Sequence, residues 1–285
     1  MNATPTSAAT PAASAPGGRI TANGVDMYYE VHGQGEPLVL LHGALVGIGS
    51  CFGALLPELA RERRVIAVEM QAHGRTPDID RPLRVEHLAE DIAALVEALE
   101  LGEVDVLGYS MGAAVAFQLA LTRPHLVRRL VLVSMSFRAE GMYPEVAAGI
   151  GELTPQDLEG TPFHEEYVAV APDPEGWAGL VERVKDMDAP GNIPEWTPEQ
   201  VSSVAAPTLL AVGDSDIVRP EHAAAMFRLL GGGVPGDLTG LPAARLAVLP
   251  GTTHIGAIER GEYLAPMVAE FLAADAEDGK DSEPS

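Results

Sequence analysis

Gly108-Tyr109-Ser110-Met111-Gly112 sets a serine between two glycines, directly after the apolar run 104–107 and before the small-residue stretch 113–122. The pattern G-x-S-x-G suits a strand that turns abruptly into a helix and holds the central hydroxyl exposed above a sheet. Glycine on either side removes the Cβ atoms that would collide in so tight a turn. A serine hydroxyl attacks a carbonyl only when a base takes its proton. Among the eight histidines, His254 is the candidate base. It follows the late apolar run 245–249 through Pro250-Gly251-Thr252-Thr253, and so emerges at the same sheet edge as Ser110. The imidazole in turn needs an acid that fixes its tautomer and stabilises its charged form. Gly213-Asp214-Ser215-Asp216 follows the apolar run 207–212 and offers two, with Asp216 preferred to Asp214.

The elements that must position these groups are legible as alternating strands and helices. Residues 19–31 read as a hairpin around Asn23-Gly24. The continuous apolar runs 38–41, 64–68, 104–107, 130–133, 207–212 and 245–249 read as strands buried on both faces. A helical stretch to about Arg61, the stripe Leu88, Ile92, Leu95, Val96 and Leu99, and helices over 113–122, 220–230 and 261–273 separate them. This alternation predicts an α/β fold with a mostly parallel central sheet and helices on both faces. It breaks over 137–204, which is rich in Pro, Gly and acids and reads as a helical or loop-rich cap insertion. The core domain is then 19–136 plus 205–273, with a disordered leader over 1–18 and a flexible acidic tail over 274–285.

The chain has 285 residues, 47% hydrophobic and 21% charged, and a net charge of −23. That charge argues against nucleic acid and anionic membranes as partners. Residues 138–200 hold 14 acids against 3 bases and so carry −11 of it; this is either a solvated surface or a field that favours a cationic substrate. No run reaches about 18 apolar residues, the length of a membrane span. The first residues lack the basic and leucine-rich regions of a signal peptide. The single cysteine, Cys51, cannot form an intramolecular disulfide and fits a reducing, cytoplasmic setting. No metal or other cofactor is expected: no two histidines have ligand spacing beside a third ligand. Glycines 231–233 neither follow a strand nor precede a lysine, as a phosphate loop requires.

His42-Gly43 after a strand, the Ser110 elbow, G-x-x-D at 213–216 and P-G-x-x-H at 250–254 fall in the order found in the α/β-hydrolase superfamily, which the chain resembles over residues 20–273. The resemblance implies Ser110, Asp216 and His254 as a catalytic triad. It also implies an oxyanion hole from the backbone N–H groups of Ala44 and Met111. His73-Gly74-Arg75-Thr76 resembles a turn characteristic of that superfamily, with Glu69 and Ala72 in place of its aspartate and first glycine; His73 is read as structural. The aspartate nucleophile of haloalkane dehalogenases and epoxide hydrolases is replaced by serine. The implied reaction is hydrolysis of a carboxylic ester or lactone through an acyl-enzyme. Candidate pocket walls are Met142, Tyr143, Phe163, Tyr167, Trp177, Met187 and Trp196, of which no more than half are expected to line the cleft. Length, motif order and cap position also resemble the macrolide esterases, which implies an amine-bearing lactone substrate and a role in antibiotic resistance. Cofactor-free haloperoxidases or perhydrolases, C–C hydrolases and acyltransferases share the scaffold. A non-catalytic ligand receptor is the alternative outside enzymes, and it would tolerate loss of the triad.

Overall fold

The computed structural model describes residues 17–274. Eight strands form one sheet: β1 Gly17–Ala22, β2 Val25–His32, β3 Pro37–Leu41, β4 Arg64–Glu69, β5 Val104–Tyr109, β6 Val127–Val133, β7 Thr208–Ser215 and β8 Ala244–Thr253. Their spatial order is β1-β2-β4-β3-β5-β6-β7-β8. The hairpin β1–β2 is antiparallel and joins β4 antiparallel, whereas every pairing from β4 through β8 is parallel. Asn23 and Gly24, with φ of 50° and 83°, make the turn the hairpin needs. This is the α/β-hydrolase fold.

The strand chemistry follows from burial on both faces. Successive side chains alternate across the sheet, so Leu38 and Leu40 enter one core cluster while Val39 and Leu41 enter the other. An apolar run, rather than an apolar–polar alternation, is therefore what a central strand requires. Helices α1 Ile48–Phe52 and α2 Leu56–Leu59 lie between β3 and β4, and α3 Val85–Ala98 and α4 Met111–Thr122 flank β5. Between β6 and β7 come α5 Pro144–Glu152, α6 Pro162–Val170, α7 Trp177–Met187 and α8 Pro198–Ser202, with no strand of the sheet. Then α9 Pro220–Leu229 and α10 Gly236–Thr239 precede β8, and α11 His254–Glu259 and α12 Gly261–Ala273 follow it. Helices α3 and α4 pack on one face of the sheet; α1, α11 and α12 pack on the other.

Three sequence expectations change. The single helix expected before Arg61 is two short helices separated at Gly53, whose backbone follows closely on Gly49 O and leaves no room for a Cβ. The last strand runs through Thr253 rather than ending at Leu249, because Ser215 and Thr253 resume pairing after an irregularity. Gly17 and Gly18, read from sequence as the end of a leader, pair with Glu30 and Tyr29. Their bare backbones leave room for the side chains of Tyr28 and Tyr29, since a Cβ would come within 2.5 Å of the Tyr28 hydroxyl and 2.8 Å of the Tyr29 ring. The rest of the leader, and the tail beyond Ala274, lie outside the described residues.

Candidate active site

Ser110 stands at the junction of β5 and α4 with φ 53° and ψ −117°, a conformation that costs an L-residue about 1–3 kcal/mol. The flanking glycines are required by close backbone approach. A Cβ on Gly108 would lie 2.2 Å from Gly112 O, and one on Gly112 would lie 2.1 Å from Leu41 O. The elbow is thus pressed against the end of β3, and Ser110 is held out of both cores.

His254 begins α11 directly after β8, with Thr253 capping that helix by accepting from Gly256 N–H. The Tyr109 hydroxyl donates to His254 O at 3.1 Å and ties the two strand ends together. His254 Nε2 lies 3.0 Å from Ser110 Oγ, and Nδ1 lies 2.8 Å from Asp216 Oδ1. An ionised carboxylate can only accept, so Nδ1 carries the proton and Nε2 is free to take one from the serine.

Asp216 is 4% exposed. Burial alone raises its pKa, but the bonds from His254, Ser134 Oγ (2.6 Å) and Val218 N–H (3.2 Å) outweigh that, and the carboxyl is held below its usual range. Asp214 is exposed and makes no hydrogen bond to the imidazole. Its two oxygens accept from Gly251 N–H at 2.9 Å and Thr252 N–H at 3.1 Å, tying the end of β7 to β8. The structure therefore brings Ser110, His254 and Asp216 into one chain and leaves Asp214 outside it.

Ala44 and Met111 line the same cavity as Ser110. Among the described residues neither N–H has a hydrogen-bond partner. Met111 is the first residue of α4, where backbone N–H groups have no intrahelical acceptor and the helix dipole is positive. Two buried histidines brace this loop. Leu45, at φ 65°, donates its N–H to His73 Nε2 at 3.1 Å, and Met70 N–H donates to His42 Nε2 at 3.0 Å. Each Nδ1 bonds a backbone oxygen, that of Gly43 or Gln71. Burial drives His42 down to about 4 and His73 down to about 3, so both stay neutral and keep Nε2 as an acceptor. His73 thus supports the loop without lining the cavity. Ala72, where the superfamily turn has glycine, adopts φ 66°. Glu69 is buried, its pKa raised by burial, and it accepts from Arg75 N–H at 2.5 Å and from the Arg75 guanidinium at 2.7 Å.

The cavity over Ser110 holds about 390 Å³ and is walled mainly by apolar side chains. Of the seven residues expected as walls, Met142, Phe163, Met187 and Trp196 line it, which is more than the half set as the upper bound. Tyr143, Tyr167 and Trp177 do not. Tyr143 precedes α5 and is 40% exposed, while Trp177 is buried as the packing partner of Tyr167 and His164. Tyr167 and Trp177 build the helical segment itself, a role that composition cannot separate from pocket lining. Cys51 lines the cavity, but burial raises its thiol pKa far above the thiolate range. Among the described residues no three His, Cys, Asp or Glu side chains are gathered to hold a metal ion, and no helix is long and apolar enough to cross a membrane.

Two site residues escaped the sequence reading. Ser134, at φ 56°, donates to Asp216; its position directly after the run 130–133, at the carboxyl end of a strand, was the available signal. Asp188 lines the cavity beyond the end of α7, and no pattern distinguishes it from the other acids of 138–200.

A family model described as alpha/beta hydrolase fold matches residues 36–166. The 2-hydroxy-6-oxo-2,4-heptadienoate hydrolase of Pseudomonas putida is 37% identical over 123 residues, covering 41% of this chain and 44% of that protein, less than half its length. The 2-hydroxy-6-oxo-6-(2'-aminophenyl)hexa-2,4-dienoic acid hydrolase of Metapseudomonas resinovorans is 27% identical over 281 residues, 90% of this chain and 91% of that protein. The solved enol-lactonase of Burkholderia xenovorans LB400 superposes with a TM-score of 0.68 over 90% of this chain and all of its own (100%), at 18% identity, a likeness of fold. With the parallel sheet, the serine elbow and these matches together, the chain has the α/β-hydrolase fold, and over residues 36–166 its sequence is similar to that of the α/β hydrolases.

Proposed function

We propose that the protein is a serine hydrolase that cleaves a carboxylic ester or lactone through an acyl-enzyme. The observation that carries this reading is the hydrogen-bonded chain from Ser110 through His254 to Asp216 at the floor of an apolar cavity. Ser110 Oγ attacks the carbonyl carbon as its proton passes to His254 Nε2. The oxygen that becomes negative is received by the Ala44 and Met111 N–H groups, each such donor being worth about 3 kcal/mol. Collapse expels the alcohol, which takes the proton from His254. Water then attacks the acyl-enzyme with His254 as base, and the acid leaves as Ser110 recovers its proton. The helical segment between β6 and β7 acts as a cap over the site and selects the substrate.

An amine-bearing lactone, such as a macrolide, is the finer form of this reading. Its support is the surplus of 14 acids over 3 bases in residues 138–200 and the chemistry of Asp188 taken up below. A second reading, hydrolysis of a C–C bond in a dienoate, has support in the names of two relatives, one of them aligned along 90% of this chain. Fluorophosphonate labelling tests the nucleophile: Ser110 should be modified and Ser110→Ala should not. A panel of esters, lactones and dienoate ring-fission products, followed by mass, separates the two readings. Turnover of the dienoates alone overturns the ester reading, and an unlabelled Ser110 overturns both.

A further inference from the structure

The cavity above Ser110 is lined by four charged side chains besides the triad: Arg138, Lys185, Asp188 and Glu259. The two bases are engaged elsewhere. Lys185 Nζ lies 3.4 Å from Glu182 Oε1, and Arg138 lies 3.7 Å from Glu140 and donates its Nε–H to Trp196 O at 3.2 Å. Glu259 is exposed. Asp188 differs from all of them. It is partly buried among apolar walls and, among the described residues, its carboxyl neither accepts a hydrogen bond nor meets a base. Burial among the cavity walls pushes its pKa up to about 6.

Its backbone position adds a second unfavourable feature. Asp188 is the C-cap of α7, its N–H bonded to Val184 O. The carboxylate thus sits at the negative end of an 11-residue helix, where anions are disfavoured and cations favoured. An unpaired carboxylate in an apolar wall at such a helix end costs stability. A cation entering the cavity would meet the carboxylate and the helix end together and relieve both.

We propose that Asp188 is the recognition point for a protonated amine carried by the substrate, so that the enzyme selects cationic esters or lactones. The proposal rests on the ester and lactone reading above and names its substrate class. An ammonium that reaches the cavity donates to Asp188 while the apolar remainder packs on Met187 and Trp196, which line the same cavity. The acidic surplus of residues 138–200 then concentrates cations outside the cavity, and Asp188 discriminates inside it.

Two measurements test this. The first is kcat/KM for matched esters that carry either a terminal ammonium or a methyl group in its place, in the acyl or the alcohol part. Wild type should prefer the ammonium ester by about 10-fold or more, the scale of one charge-assisted hydrogen bond, and Asp188→Asn should bring the ratio to about one. An unchanged ratio in Asp188→Asn, or no preference in wild type, overturns the proposal. The second is calorimetric binding of hexylammonium and hexanol, which needs no turnover. Wild type should bind hexylammonium the more tightly, and Asp188→Asn should lose that advantage. Equal affinities in wild type overturn the proposal without appeal to any variant. If no ester is hydrolysed but the ammonium is still selected through Asp188, the ester reading falls and the amine site stands.

Discussion

Ser134 donates its hydroxyl to Asp216 Oδ2 at 2.6 Å, which leaves Oδ1 to face His254 at 2.8 Å. The acid of the chain is thereby held on both oxygens by groups at the ends of β6 and β8, the parallel strands on either side of its own strand β7. Ser134→Ala removes one of the bonds that hold Asp216 ionised and lets the carboxylate rotate. We expect kcat to fall by about 10-fold, the scale of one hydrogen bond to a charged group, with KM little changed. Steady-state kinetics on any hydrolysed ester checks it; an unchanged kcat would mean that the other contacts orient Asp216 sufficiently.

Asp216→Asn should lower kcat by about 10³–10⁴-fold, because the amide can turn an N–H toward His254 and stabilise the wrong tautomer. Asp214→Asn should cost little, since an amide oxygen still accepts from Gly251 or Thr252 N–H. Comparing the two variants on one substrate is enough, and the reverse ranking would reassign the acid.

The backbone at Ser110 predicts an inverted order of stability. At ordinary positions alanine is more stabilising than glycine by about 0.5–1 kcal/mol. At φ 53° and ψ −117°, Ser110→Gly should instead be more stable than Ser110→Ala by about 1 kcal/mol, because glycine relieves strain that alanine keeps. Both variants should lose nearly all hydrolysis, and His254→Ala should lose about as much, since the chain acts as a unit. Denaturant melts of the two Ser110 variants decide the matter; alanine melting later would show that the turn is unstrained.

The paired histidines predict an acid-labile fold. His42 and His73 have folded-state pKa values depressed to about 4 and about 3 from an ordinary 6.5. Above about 6.5 neither the folded nor the unfolded state binds a proton there, and their contribution to stability is complete. As pH falls below that value the unfolded chain takes up protons that the folded one refuses, so stability drops by up to about 1.4 kcal/mol per pH unit for each histidine. From pH 6.5 to pH 5 the pair should account for about 3 kcal/mol. Urea unfolding at the two pH values measures it, and His73→Gln should make the dependence shallower. A flat profile over this window would place solvent at both rings.

The residues along the chain announce the strand order in sequence, the serine elbow, His254 as the candidate base and the pair Asp214 and Asp216 as candidate acids. Each is announced locally: a strand buried on both faces must be a continuous apolar run, and a side chain directly after such a run must emerge at the sheet's carboxyl edge. Glycines 108 and 112 were legible for the same reason, since backbone contact at the turn excludes a Cβ. Only the tertiary structure separated Asp216 from Asp214, which lie two residues apart but turn to different partners. It also separated pocket walls from packing residues in 138–200, where Met187 and Trp196 face the cavity and Trp177 packs against Tyr167. Ser134, 82 residues from Asp216, and Asp188, an acid among many, acquire their roles through what the fold places beside them. Local sequence carries the conformational demands of strands and turns, because those act over a few residues. Orientation across a cavity depends on packing between segments far apart in the chain, and no local pattern encodes it.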